Sequence, residues 1–333
     1  MNELKIIKSL KKNIKNPSAL KLNDDVFFDK KKSLLASIDT YNENVHYINF
    51  EKPDLIIKKV IRSSISDIIS KGADPKYLLV SFSGSKKQFT KKNVKLIINS
   101  MKQEQKKYNF SLVGGDITSS KKSSFTVCTF GFSKIIVKRN NCSLRDEIYI
   151  TGNIGDSSVG LTLLKRKLNI NAKNKKYFIE KYYKPNLAYG FHKDLQKFAS
   201  SSIDISDGLI VDMKKLIEKK KLSFTVDLNL IPLSSNLKKL VFKKKVSMFR
   251  HLFNGDDYQI IFTAKNKYRK NILKYAQKWN QKITRIGIIT NGVKNYLKYN
   301  SKLNKINDFQ GYIHNFKWDY LLPFRFFFVM CGF

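Results

Sequence analysis

Short apolar runs alternate with longer stretches of helical periodicity along this chain. Leu34–Ile38, Tyr77–Phe82, Phe110–Val113, Phe125–Phe132 and Ile148–Ile150 are short and rich in β-branched or aromatic residues, which predicts strands. Asp54–Ser70 places Leu55, Ile56, Val60, Ile61, Ile65, Ile68 and Ile69 at helical spacing, and Val94–Lys107 repeats the pattern more weakly. The polar segment Val137–Glu147, with Asn140, Asn141 and Arg145, interrupts the alternation near the middle. It predicts a boundary between a unit at 1–138 and a second at 139–316. In the second unit, helices are expected at Gly155–Leu168, Leu187–Ala199, Gly208–Lys220 and Tyr268–Trp279. Strands are expected near Ile203 and at Phe224–Leu228, Gln259–Thr263 and Ile283–Ile289. Two α/β units follow from this order.

The composition supports two packed cores. The 333 residues are 42% hydrophobic and 13% aromatic, with only 15 Gly and 6 Pro, which excludes a mostly disordered chain. Charge complicates the picture: 64 Lys and Arg face 26 acids, a formal net charge of +38. That excess invites a nucleic-acid or anionic-membrane partner. Its make-up argues against one, because only eight of the 64 are Arg, the residue that phosphate and base readers favour. The Lys, Asn, Ile and Phe excess reads instead as a coding bias spread over solvated faces. Cys128, Cys142 and Cys331 have neither metal-ligand spacing nor an evident pairing, as expected in a reducing compartment. Residues 1–20 lack a signal peptide's apolar run, and the aromatic tail 317–333 is too short and interrupted to span a bilayer. A cytoplasmic location without membrane contact is the expectation.

The minority charge is the informative one. Nineteen of the 26 acids are Asp, although Asp and Glu codons are equally A/T-rich. Several stand beside apolar strands or small residues: Asn23-Asp24-Asp25, Ser37-Ile38-Asp39-Thr40, Ser64-Ile65-Ser66-Asp67, Gly114-Gly115-Asp116, Ile203-Asp204-Ile205-Ser206-Asp207-Gly208 and Gly255-Asp256-Asp257. One such Asp is ordinarily a helix cap or turn residue. Asp67 fits that explanation poorly because it falls inside a long helical pattern. Acid-next-to-acid clusters call for a counter-charge, and hard oxygen ligands without Cys or clustered His point to Mg²⁺ bridging to phosphates. No Walker A loop or kinase Gly-rich loop is present. Gly152-Asn153-Ile154-Gly155-Asp156 is either a phosphate cradle on backbone N–H groups or a tight βα connection.

In this order the motifs resemble the thiamine-monophosphate kinase family, within the aminoimidazole ribonucleotide synthetase-like ATP-binding superfamily. The carriers are the clusters above together with Val45-His46, Gly-Ala-Asp-Pro at 72–75, Thr-Gly-x-x-Gly-Asp at 151–156, Gly-Asp-Asp-Tyr at 255–258 and Gly-Tyr at 311–312. The likeness runs from about Lys21 to Phe316. It implies ATP-dependent phosphorylation of thiamine monophosphate to thiamine diphosphate, with several Mg²⁺ ions and no general base. It implies an N-terminal α/β domain binding ATP and metal, whose sheet closes into a barrel across a homodimer, and a larger C-terminal α/β domain. Carried over position by position, Asp25, Ser37, Asp39, Asp67, Asp116, Asp204 and Asp207 match metal positions. Gly115, Asp116, Arg139 and Ser206 match ATP contacts, and His46, Asp256 and Tyr312 match substrate positions.

The chain departs from the family pattern at Leu22 and Asn23, Ile38, Ser64 and Asp256, the last standing for Glu. Asn44 replaces a usual Gly, a swap expected to need a left-handed backbone. The rivals are another enzyme of the superfamily and a basic nucleic-acid-binding protein on the same fold. The selenophosphate synthetase variant would want an N-terminal reactive Cys, and none precedes Cys128.

Overall fold

The computed structural model describes residues 3–306 apart from Lys219. Tyr312 and the tail 317–333 therefore lie outside the described residues.

In the N-terminal unit the elements are α1 (Glu3–Lys11), β1 (Phe27–Asp29), β2 (Leu34–Asn42), α2 (Pro53–Ser70), β3 (Asp74–Gly84), α3 (Lys91–Tyr108), β4 (Ser111–Ser119) and β5 (Ser124–Phe132). The strands form one sheet in the order β1-β2-β5-β3-β4, antiparallel except for the β3–β4 pair, whose crossover is α3. Period-two alternation buries one face: Phe125, Val127 and Thr129 of β5 are buried, with Leu35 of β2 and Leu78 of β3.

The C-terminal unit comprises β6 (Glu147–Thr151), α4 (Asp156–Leu164), α5 (Ala172–Tyr183), α6 (His192–Leu195), β7 (Ala199–Asp204), α7 (Leu209–Ile217) and β8 (Leu222–Asp227). It continues with α8 (Ser235–Phe242), α9 (Met248–Leu252), β9 (Ile260–Ala264), α10 (Arg269–Lys278), β10 (Ile283–Asn291), β11 (Tyr296–Tyr299) and β12 (Lys302–Lys305). Its seven-stranded sheet has the order β12-β11-β8-β10-β6-β9-β7.

Helix α2 joins the two units. Fourteen of its eighteen residues are buried, because it packs on the N-terminal sheet on one side and on β7 and α5 on the other. Its buried polar residues therefore need partners, as Arg62 finds in Glu104 at 2.8 Å. One continuous core runs from Ile57, Val60 and Ile61 of α2 to Phe191, Phe198 and Phe262.

Several expected elements differ. The helix expected over 187–199 shrinks to α6, because Gly190 sits at φ +97° with its α-carbon against the Trp279 ring, where a Cβ would come within 2.6 Å. The helix expected to reach Leu168 stops at Leu164, before Arg166 turns left-handed at φ +54°. The strand expected to end at Val113 continues to Ser119, since Gly115 lets β4 lie so close to β3 that a Cβ there would meet the Val80 carbonyl at 1.8 Å. Helices α5, α8 and α9 were hidden in Lys-rich or short segments. Asn44 is left-handed at φ +67°, as its replacement of Gly requires.

Candidate active site

Three carboxylates lie within electrostatic reach of one another beside α2. Asp39 lies on the α2-facing side of β2, Asp67 near the end of α2, and Asp204 at the last position of β7. Burial and the Asp204 and Asp25 charges push Asp39 up to about 7. Burial, with Asp25 beside it, raises Asp204 to about 6, while Ser66 donates its hydroxyl proton to Oδ2. Asp67 is raised well above the usual range, first by burial and then by Asp39 and Asp204. Such a cluster gains by taking up protons or a cation. Ser37 is buried alongside, its hydroxyl 3.4 Å from the Ser64 carbonyl.

The remaining expected acids behave differently. Asp25 is bound by Lys71 Nζ and by Arg139 Nη1, each at 2.8 Å. Burial alone would raise it, but Lys71 and Arg139 override that and hold it well below the usual carboxylate range. Lys71 is fully buried and also meets Asp24 at 2.8 Å and the Ser202 carbonyl at 3.2 Å. Arg139 donates its backbone N–H to Asp24. Asp207 pairs with Lys215 at 2.7 Å. Asp116 and Gly115 sit on exposed β4, at one edge of the sheet. Asp116 is in register with Ser81, Thr126 and, across β5, Thr40, so strand spacing alone puts it about 14 Å from β2. Its side chain emerges on the face opposite Asp39. Among the described residues, no three His, Cys, Asp or Glu side chains converge as a ready cage for a single ion.

Two residues that organise the site were missed in the sequence. Asp212, fully buried in α7, accepts the backbone N–H groups of Ser206, Asp207 and Gly208 at 3.0–3.1 Å and Lys215 at 2.7 Å. It fixes the loop that carries Ser206 and Asp207. Lys71 is the other. A helical Asp four residues after an Asp-Gly turn was the available signal for the first; nothing separated Lys71 from the other lysines.

A second polar group lies toward the N-terminal end of α2. His46 Nδ1 accepts the Asn42 N–H at 3.0 Å, and its ring meets the edge of Tyr41 at 5.6 Å between centroids. Asp256, in a left-handed turn at φ +71°, forms an ion pair with Lys59 Nζ at 2.8 Å and accepts the Tyr258 hydroxyl at 3.0 Å. The loop 152–156 is not a free phosphate cradle. Gly155 N–H donates to Asp257 Oδ2 at 2.8 Å, so an internal carboxylate already caps α4, and Asp156 is held by Tyr177 and Ser234.

Residues 22–135 match the AIR synthase related protein N-terminal domain, and residues 146–300 match the corresponding C-terminal domain. Two such domains around one acidic cleft define the class. A thiamine-monophosphate kinase of Buchnera aphidicola subsp. Schizaphis graminum is 34% identical over 310 residues, covering 88% of this chain and 92% of that protein. A solved structure described as AaThiL complexed with AMPPCP and TMP superposes with a TM-score of 0.83 at 26% identity, over 94% of this chain and 97% of that one. Thiamine monophosphate kinase from Aquifex aeolicus gives a TM-score of 0.78 at 26% identity, over 91% and 98%. The chain belongs to the thiamine-monophosphate kinase family. Among the described residues no helix is long and apolar enough to cross a membrane.

Proposed function

We propose that this chain transfers the terminal phosphoryl group of ATP directly to the phosphate of thiamine monophosphate, giving ADP and thiamine diphosphate. The observation that carries the reading is the trio Asp39, Asp67 and Asp204, buried or half-buried beside α2, whose mutual repulsion Lys71 and Lys215 offset only in part. The acceptor phosphate has a second pKa of about 6 and is largely ionised at neutral pH, so no general base is needed. The protein's task is to align two polyanions and cancel their charge.

The donor set is all oxygen, which suits Mg²⁺ held by one or two carboxylates and completed by substrate phosphates. Bound there, Mg²⁺ ions would supply the charge cancellation between the two phosphate chains. Asp25, Ser37, Asp39, Asp67, Asp116, Asp204 and Asp207 are the proposed metal-binding side. Lys71 and Arg139 hold Asp25 ionised. Gly115, Asp116, Arg139 and Ser206 are assigned to ATP, with Asp212 keeping the Ser206 loop in shape. His46, Asp256 and Tyr312 are assigned to the thiamine end.

The same reading takes 1–138 as the ATP and metal unit, 139–316 as the second unit and the cytoplasm as the site of action. It also takes the molecule to be a homodimer. Ile38, Tyr77, Leu79 and Phe132 leave an apolar patch on the sheet face away from α2, and β4 is a nine-residue unpaired edge. Such an edge is normally covered.

Purified protein incubated with ATP, Mg²⁺ and either thiamine or thiamine monophosphate tests the reading. Thiamine diphosphate should form from the monophosphate alone and cease on chelation. Product from unphosphorylated thiamine, or from neither, would overturn it.

A further inference from the structure

Lys59 is a fully buried lysine on α2, 1% exposed. Its ammonium lies 4.0 Å from the centre of the Tyr182 ring and 5.7 Å from that of Tyr258. It reaches Asp256 Oδ1 at 2.8 Å, yet none of its three N–H groups makes a directed hydrogen bond. A buried cation so sparsely satisfied is a costly way to hold a fold, and an apolar side chain would fill the same space more cheaply. The arrangement has a use at Asp256. Lys59 and the Tyr258 hydroxyl both converge on Oδ1, and among the described residues no hydrogen bond is made to Oδ2. The carboxylate side chain is 28% exposed, so the free oxygen has access to the site.

The same lysine is tied to the other substrate residue. The Tyr182 ring that covers the ammonium donates its hydroxyl to the His46 carbonyl at 2.9 Å. His46, Tyr182, Lys59 and Asp256 are thus one contiguous assembly.

We propose that Lys59 is a positioning residue for the thiamine end of the acceptor: it anchors one oxygen of Asp256 so that the other is presented to the amino N–H of the substrate's pyrimidine ring. This rests on the assignment of thiamine monophosphate as acceptor. Lys59 acts through Asp256 and touches neither ATP nor the reacting phosphates, so its effect is confined to one substrate. Eight residues separate it from Asp67 on the same helix, about 12 Å along the axis.

The test compares wild type with Lys59→Met, Tyr258→Phe, Asp256→Asn and the Lys59→Met/Asp256→Asn double variant, measuring KM for each substrate and kcat. Lys59→Met should raise the KM for thiamine monophosphate ~10-fold or more while the KM for ATP stays within about twofold. The double variant should be no worse than Asp256→Asn alone, because both changes remove one device. If Lys59→Met fails to fold, Tyr258→Phe decides, with the same selective rise expected in smaller measure. An unchanged KM for thiamine monophosphate in the folded variants, or equal losses for both substrates, overturns the proposal while leaving the kinase reading intact. A wild-type protein unable to use thiamine monophosphate would sink both.

Discussion

At the scale of single residues, the cost of function is visible at Asp67. Aspartate is a poor helix-interior residue, and here it feels the charges of Asp39 and Asp204. Replacing it with Asn keeps the shape and removes a charge that the metal-free protein would rather lose. Asp67→Asn should therefore abolish turnover yet raise the thermal midpoint without metal by roughly 2–4 °C, the shift a gain of about 1 kcal/mol gives a large domain. Calorimetry beside an activity assay checks this; retained turnover at saturating Mg²⁺ would show that Asp67 has no metal role. The acids were readable in the sequence because Asp is odd where it stands. Lys59 and Lys71 were not. In a chain with so many lysines, a buried one has no local mark, and only the folded positions of Asp24, Asp25 and Asp256 reveal what these two neutralise.

At the scale of elements, legibility followed periodicity. Helix α2 was evident from its apolar spacing, whereas α5, with Phe178, Tyr182 and Tyr183 as its buried residues among lysines, offered too thin a stripe. The same packing buries His251 of α9 against α4, its Nδ1 2.9 Å from the Ser158 hydroxyl. Burial, with some help from Arg250, pushes this imidazole down to about 4. A folded pKa below the unfolded value favours the neutral ring, so its contribution is complete above about 6.5 and is lost as pH falls toward 4. The loss amounts to ~3 kcal/mol at most. Asp39 and Asp204, raised by burial and by neighbouring acids, act in the opposite sense over part of this range, so the comparison must be with a variant. In metal-free urea titrations, the stability advantage of wild type over His251→Gln should shrink by ~2 kcal/mol between pH 7 and pH 5. A constant difference would mean that the ring is not buried neutral.

At the scale of the whole molecule, the order of motifs was legible but their distances were not. Asp39, Asp67 and Asp204 come from three separate segments and are brought into electrostatic reach of one another by the packing of α2 between the two sheets. Asp116 belongs to the same series, yet it stands on the exposed face of an edge strand. The apolar patch on that face predicts a dimer in solution, and Leu79→Glu should convert it to monomer in light scattering. A wild-type monomer would remove the shared barrel. The most direct test of the central claim is a crystal grown with Mn²⁺ and a non-hydrolysable ATP analogue, examined by anomalous scattering. The account predicts metal peaks about 2 Å from carboxylate oxygens of Asp39, Asp67 and Asp204, bridging them to phosphate. Analogue bound without metal at those carboxylates, or metal bound elsewhere, would contradict it.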